Sequence, residues 1–180
     1  MTGPDRAMLF RTALETGFRG NELRTLRRSD LLLDSTQPRI QLRGKNEKNR
    51  HGNAQPVKLA FAAALREYVA LKAPDALVFS MPRADETAPV IVADLAEARA
   101  AWIKSAGQDY ALRKTRAEST FPAEKDETGA VFDFHALRTT FATNLCLAGV
   151  ALADAAKLMR HSDPRLLTSR LCEAWPGAGR

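Results

Sequence analysis

His135 and Arg138 are the residues of this sequence whose types and spacing most directly suggest chemistry. They lie three positions apart in the segment Phe134–Thr143, and residues with this spacing are neighbours on one face of a helix. Arginine offers a fixed fork of N–H donors, and histidine donates or transfers a proton near neutral pH. The pair therefore suits an oxyanion as its ligand. The alternative is a solvated helix face that carries both residues by chance.

An apolar stripe on the same segment predicts the helix that would position this pair. Leu137, Phe141, Leu145 and Ala148 recur at helical spacing, so we expect them to face the core. The histidine and the arginine fall well away from the stripe. The pattern predicts that both side chains point off the core.

A second arginine stands beside a carboxylate near the start of the chain. The pattern predicts a helix from Pro4 to Gly17 and a short second helix after it, with Leu23 among its apolar contacts. Arg19 lies on the same side as Leu23, and Glu22, three residues after Arg19, is the neighbour of Arg19 one helical turn later. This arrangement is typical of a positioned arginine. The alternative is a surface pair at the start of a helix.

Residues 38–59 carry most of the excess positive charge. Apolar and polar residues alternate around Ile40 and again around Val57, which predicts a β-hairpin with a long basic turn. Its basic residues, opposed only by Glu47, are Arg39, Arg43, Lys45, Lys48, Arg50 and Lys58. Six positive charges less one negative charge leave +5, close to the +6 of the whole chain. Such a turn favours contact with phosphates, and a solvated loop is the alternative.

The remaining patterns predict one domain over residues 1–180, with a mostly helical α+β fold and a small antiparallel β-hairpin. A short buried strand or turn is predicted at Leu77–Phe79. Residues 107–131 are polar and predict a long loop, and residues 176–180 predict a loose tail. The further helices are predicted over about 60–72, 94–105 and 150–160, and after Pro164.

Composition restricts the partners and the setting. The net charge of +6 and the pI near 9.7 indicate a polyanionic partner, of which nucleic acid is the commonest. Cys146 and Cys172 do not make a disulfide framework and fit a reducing, cytoplasmic setting. No apolar run reaches transmembrane length, so no membrane partner is expected. The histidines are scattered and no metal-ligand motif occurs, so neither a metal nor a cofactor is expected.

Four separated segments, in a fixed order, resemble the catalytic domain of tyrosine recombinases, also called phage integrases. They are Thr16–Leu23, Arg43–Arg50, Phe134–Thr143 and Leu158–Arg165. In that order they resemble the segment of the family's first arginine, its β-hairpin with the active-site lysine, its His-x-x-Arg box and its final histidine segment. The resemblance implies the family's catalytic-domain fold. The family's amino-terminal core-binding domain is expected to be absent, so the chain is expected to be a fragment.

The resemblance also implies roles for the matching residues. Arg19 and Arg138 would hold the non-bridging oxygens of a scissile phosphate in double-stranded DNA, and Glu22 would orient Arg19. His135 and His161 would hydrogen-bond to the same phosphate, and His135 is also a candidate acid or base. The reaction implied is strand cleavage and rejoining through a covalent 3′-phosphoprotein intermediate.

The basic hairpin would supply a proton donor and further contacts with DNA. Lys45 would protonate the departing 5′ oxygen, which is a poor leaving group, and Lys48 is the alternative donor. Arg43, Lys48 and Arg50 would bind the duplex. The resemblance further implies a tetramer of recombinase subunits on DNA.

Cys172 stands where the resemblance implies the nucleophilic tyrosine, and Tyr68 and Tyr110 lie in other segments. Four readings stay open: a cleavage-impaired DNA-binding relative, an engineered or drifted enzyme, a nucleophile from another subunit, or attack by Cys172 itself. A cysteine sulfur lies roughly 3 Å from its Cα and a phenol oxygen roughly 6 Å, so direct attack requires the last helix to shift. The alternative functions are DNA binding without cleavage, and a basic helical nucleic-acid-binding domain without an active site.

Overall fold

The computed structural model describes residues 1–43, 53–125, 127, 129 and 131–160. Its contacts divide the described residues into two compact units, one drawn from residues 1–81 and 137–160 and the other from residues 82–136. The helices of the first unit are α1 (Gly3–Thr16), α2 (Gly20–Thr25), α3 (Leu59–Tyr68) and α7 (Leu152–Leu158). The helices of the second unit are α4 (Thr87–Lys104) and α5 (Tyr110–Glu118), and α6 (Phe134–Leu147) begins there and continues into the first.

Local signals at both ends define α1. The Thr2 side chain accepts a hydrogen bond from the Asp5 N–H at 3.3 Å, and Asp5 Oδ2 accepts the Thr2 N–H at 3.0 Å. This reciprocal pair satisfies donors that a helix start leaves without partners. At the other end Gly17 adopts a left-handed backbone with φ of 62°, and its N–H donates to the Ala13 carbonyl at 2.8 Å. The helix predicted from Pro4 to Gly17 is therefore confirmed.

One small antiparallel sheet accompanies the helices, as predicted. Its strands, in the order β1-β2-β3, are β1 (Leu31–Leu32), β2 (Arg39–Gln41) and β3 (Ala54–Pro56). Ile40 pairs with Leu31 on one side and with Gln55 on the other, and its side chain is fully buried. The second arm of the predicted hairpin is shorter than expected, because Leu59 begins α3. The basic turn itself, residues 44–52, lies outside the described residues.

Of the apolar residues predicted to face the core on α6, Leu137 and Phe141 are buried and Leu145 is partly buried, whereas Ala148, just past the end of the helix, is exposed. Phe141 packs with Ala142, Ala155, Ala156 and Met159, which joins α6 to α7 within the first unit. A second set of large, fully buried side chains lies in the same unit, and its apolar members are Phe18, Leu23, Ile40, Phe61, Leu65, Val78 and Phe79. The sequence predicted a short buried strand or turn at Leu77–Phe79. Val78 and Phe79 are buried, and Leu77 pairs only in an isolated bridge with Arg27.

In the second unit, a helix interrupts the predicted loop over residues 107–131. Asp109 caps α5 by accepting the Leu112 N–H at 2.9 Å. Arg116 on α5 donates to the Trp102 carbonyl at 2.6 Å and lies over the indole ring, 5.0 Å from its centroid. Polar composition alone suggested a loop here, whereas a side-chain cap and packing against α4 stabilise a helix. No helix among the described residues combines the length and hydropathy needed to cross a membrane.

Candidate functional site

Arg19 and Glu22 lie together at the start of α2. The Arg19 N–H donates to Glu22 Oε2 at 2.7 Å, and Arg19 Nη1 lies 3.4 Å from Glu22 Oε1. The Arg19 side chain is 51% exposed, while that of Glu22 is 14% exposed. The carboxylate therefore fixes the backbone of Arg19 and reaches its guanidinium, which stays half open to solvent.

Arg138 on α6 is buried, with only 2% of its surface exposed, so the expectation that it points off the core is wrong. Its Nη1 donates to the carbonyl of Gly17, and its Nη2 donates to the carbonyl of Met159. These carbonyls follow the last turns of α1 and α7, where backbone acceptors lack helical partners. The buried acceptors draw the guanidinium inward. At most three of its five N–H donors remain for a ligand.

The charge on Arg138 is opposed by its surroundings. Burial, and next the positive charges of Arg19 and Arg160, lower the pKa of Arg138 to about 9, whereas Glu22 acts in the opposite direction. The guanidinium therefore keeps its proton at neutral pH. A buried cation beside two others, offset by one carboxylate, is a favourable environment for an anion.

Arg160, which no sequence pattern singled out, completes the group. Its Nη1 donates to Gln55 Oε1 at 2.7 Å and to the Leu158 carbonyl at 3.0 Å. Its Nη2 donates to the Gly17 carbonyl at 3.2 Å and to Glu22 Oε2 at 3.1 Å. The side chain is only 4% exposed. Its contacts thus reach β3, α2 and the turn after α1.

We call Arg19, Glu22, Arg138 and Arg160 the arginine cluster. Two of its arginines share the Gly17 carbonyl, and Glu22 contacts the other arginine as well as Arg160. Three guanidinium charges less one carboxylate charge leave a net charge of +2. The cluster unites Arg19 and Arg138, which the sequence places far apart.

A cleft of about 780 Å³ in the first unit opens beside the cluster and is also rich in arginine. Its charged lining residues are Arg19, Glu22, Arg24, Arg27, Asp30 and Arg43. Arg43 Nε lies 2.5 Å from Asp30 Oδ1, and its Nη2 donates to Ser29 Oγ at 2.8 Å. Arg19 and Arg43, selected from two different segments of the sequence, therefore line one cleft.

The other selected residues are His135 and five residues outside the described part of the chain. His135 belongs to the second unit, where it is exposed in the first turn of α6. The residues that lie outside the described part of the chain are Lys45, Lys48, Arg50, His161 and Cys172. Within the residues that the structure describes, no group of His, Cys, Asp and Glu side chains is arranged to hold a metal ion.

Neither tyrosine belongs to the arginine cluster. The Tyr68 hydroxyl, at the end of α3, donates to Asp5 Oδ1 at 2.9 Å. Burial, followed by this hydrogen bond, raises the pKa of Tyr68 above its ordinary value, which disfavours the nucleophilic phenolate. Tyr110 is exposed at the start of α5, in the second unit.

Residues 3–170 match the sequence model of the phage integrase family. The XerH site-specific recombinase in a post-cleavage complex with its palindromic difH substrate has a similar structure, with a TM-score of 0.57 and 19% identity over 97% of this chain and 46% of that one. The Tn1549 transposon integrase in complex with transposon right-end DNA matches with a TM-score of 0.56 and 15% sequence identity, over 95% of this chain and 57% of that one. The catalytic domain of bacteriophage HP1 integrase matches with a TM-score of 0.52 and 21% sequence identity, over 96% of this chain and 77% of that one.

These similarities confirm the fold that the sequence resemblance implied, that of a tyrosine recombinase catalytic domain. The chain spans about half the length of the XerH and Tn1549 structures. No curated protein sequence matches it.

Proposed function

The chain belongs to the phage integrase family, and from that premise we propose that it is the catalytic domain of a site-specific recombinase that breaks and rejoins duplex DNA. The observation that carries the proposal is the meeting of Arg19 and Arg138 around Glu22 and the Gly17 carbonyl. Two guanidinium groups placed in advance around one phosphate would stabilise the charge that phosphorus gains in its pentavalent transition state. Losing one such donor raises the barrier by about 3 kcal/mol.

In the proposed reaction, a protein nucleophile gives its proton to His135 and attacks phosphorus, and the 5′ oxygen leaves with a proton from Lys45 or Lys48. His135 and His161 hydrogen-bond to the phosphate oxygens. The product is a 3′-phosphoprotein and a free 5′ hydroxyl. Because the covalent intermediate conserves the energy of the broken bond, reversal by a second 5′ hydroxyl rejoins strands without ATP.

The DNA would cross the first unit along the arginine-lined cleft. Arg24, Arg27 and Arg43 line this cleft together with Arg19, and phosphate contacts of this kind supply most of the affinity for a duplex. The XerH and Tn1549 proteins of similar fold are complexes with DNA, which supports the choice of ligand. Assembly of several subunits on the duplex is part of the same proposal.

A second candidate function is DNA binding without cleavage. It is favoured by Cys172, which stands where the family resemblance implies the nucleophilic tyrosine, and by the raised pKa of Tyr68, which is hydrogen-bonded to Asp5. In this function the arginine cluster still binds a backbone phosphate, while Cys172, in the nucleophile position, leaves it uncut.

A trapping experiment separates the two functions. Duplexes bound by the chain are selected from a randomised pool, and a nicked version of a selected duplex is then incubated with each variant. A covalent adduct on a denaturing gel identifies strand cleavage. The variants are the parent chain, Cys172→Tyr, and Cys172→Tyr combined with Arg138→Ala as the matched control.

We expect the adduct with Cys172→Tyr and its loss in the combined variant. An adduct with the parent chain as well supports strand cleavage by this sequence, whereas an adduct with Cys172→Tyr alone identifies a recombinase site that Cys172 disables. Binding without any adduct from either protein favours the second function. A parent chain that selects no duplex contradicts both functions.

A further inference from the structure

Arg160 touches the groups that hold the two other arginines of the cluster. Its Nη2 donates to Glu22 Oε2, the same oxygen that accepts the Arg19 N–H. It also donates to the Gly17 carbonyl, which accepts from Arg138. One side chain therefore contacts the fixed partner of each arginine proposed to bind the phosphate.

The terminal N–H groups of Arg160 are already matched by protein acceptors. Nη1 and Nη2 carry four N–H groups between them. Their acceptors are Gln55 Oε1 and the Leu158 carbonyl for Nη1, and the Gly17 carbonyl and Glu22 Oε2 for Nη2. With these donors engaged and the side chain buried, Arg160 suits a positioning role better than direct contact with DNA.

The backbone of Arg160 indicates that these contacts determine its conformation. Its φ of 52° lies in the left-handed region, and no other non-glycine residue among those described has a positive φ. This region is unfavourable for a residue with a Cβ, and glycine is favoured just after a helix end. The four hydrogen bonds, together with the Phe18 ring 4.8 Å below the guanidinium, hold the arginine there.

Glu22 is shared between Arg19 and Arg160, which leaves the Arg19 guanidinium available for an anion. The Arg160 contact with Glu22, at 3.1 Å, is shorter than the 3.4 Å contact of the Arg19 guanidinium and is much less exposed. Because much of the carboxylate's charge is directed to Arg160, the Arg19 guanidinium is only weakly neutralised. It can then turn its remaining donors to an anion.

We propose that Arg160 is a positioning residue, which holds Glu22 and the Gly17 carbonyl so that Arg19 and Arg138 face one DNA backbone phosphate. The inference rests on the proposed function, since it takes the phosphate as the ligand. It adds to that function a residue that affects phosphate binding through Arg19 and Arg138.

Hydrogen exchange tests the positioning without DNA. The Arg19 amide donates to Glu22 Oε2, so its exchange rate reports whether the carboxylate is in place. The variant is Arg160→Gly, because glycine adopts the left-handed backbone without strain. We expect exchange at the Arg19 amide to rise about tenfold, while the Leu65 amide in the buried core changes less than about twofold.

Two further variants serve as controls. Arg11→Ala removes another arginine that lies over a phenylalanine ring, 5.4 Å from the centroid of Phe61, and should leave the Arg19 amide unchanged. Arg160→Lys keeps the charge and should restore part of the protection. Unchanged exchange at Arg19 in Arg160→Gly, or an equal rise at Arg19 and Leu65, overturns the proposal.

A double-mutant cycle tests the link to the ligand. On a duplex selected by the parent chain, Arg160→Gly should raise Kd about tenfold. In an Arg19→Ala background the same change should raise Kd clearly less than tenfold, because the part of its effect that acts through Arg19 is lost and only the part through Arg138 remains. Full additivity overturns the proposal. If the parent chain selects no duplex, the proposed function falls, and the exchange experiment alone decides whether Arg160 positions Glu22.

Discussion

Arg160 and Glu22 form a buried ion pair, with Nη2 3.1 Å from Oε2 and side chains that are 4% and 14% exposed. The Arg66–Asp34 pair is shorter, at 2.8 Å, yet its carboxylate is 88% exposed. An exposed pair contributes little to stability, because water competes for both charges. Breaking a buried pair leaves a charge without compensation, so burial decides which pair matters more.

Glu22→Gln should therefore destabilise the protein far more than Asp34→Asn. Each change replaces a carboxylate by an amide of the same shape. For Glu22 we expect a loss of about 3 kcal/mol in the free energy of unfolding, since three guanidinium groups lose their shared counter-charge. For Asp34 we expect less than about 1 kcal/mol. Urea denaturation measures both, and equal midpoints would show that the cluster does not depend on the carboxylate.

Gly17→Ala should be costly for two separable reasons. Its φ of 62° is unfavourable for alanine, and a Cβ at this position would collide with the ring of Phe141. At Gly107 φ is 61° and an added Cβ would meet no other atom, so Gly107→Ala measures the backbone effect alone. We expect a loss of about 1 kcal/mol for Gly107→Ala and at least about 2 kcal/mol more for Gly17→Ala. Thermal or urea unfolding that gave equal losses would argue against the collision.

The carboxyl group of Asp5 should titrate unusually low. Hydrogen bonds from the Thr2 side chain, then from its backbone, and from Tyr68 lower the pKa of Asp5 from 3.8 to about 2. Because the folded pKa is depressed, the resulting stabilisation is complete above pH 3.8 and is lost as the pH falls through about 2. Thr2→Ala should raise this pKa more than Tyr68→Phe does. Carboxyl ¹³C shifts followed by NMR measure the order, and its reversal would contradict this ranking of the hydrogen bonds.

Arg19→Ala should change the salt dependence of DNA binding. A phosphate contact releases counterions, so its loss lowers the slope of log K against log salt by about one. Arg11→Ala removes the same charge at a site away from the cleft and should change the slope much less. Fluorescence anisotropy of a labelled duplex across a salt series measures both slopes. An equal decrease in the two variants would mean that Arg19 acts only through net charge.

Structural features that depend on residues close together in the sequence could be predicted. Pro4 and Gly17 delimit α1, and the spacing of Leu137 and Phe141 marks the buried face of α6. Arg19 and Glu22 were expected to be neighbours, and they are hydrogen-bonded. In each case the residues that determine the structure lie within a few turns of each other, so the sequence pattern contains the information.

Partners that only folding brings together could not be predicted in this way. Arg138 lies off the apolar stripe of α6, but the carbonyls of Gly17 and Met159 draw it inward. Arg160 depends on equally distant acceptors, although one local signal exists. An arginine just past a helix end, where glycine is favoured, indicates that its side chain determines the backbone. The roles of Lys45, His161 and Cys172 stay predictions.

The carbonyl of Gly17 also bears on how the arginine cluster would change during evolution. Arg138 and Arg160 tie the end of α1 to α6 and α7 through this one oxygen, so both arginines contribute to the contacts between these helices as well as to the cluster. A descendant that lost the proposed strand cleavage would therefore be expected to keep Arg138 and Arg160, because replacing either residue would also weaken the contacts between the end of α1 and the helices α6 and α7.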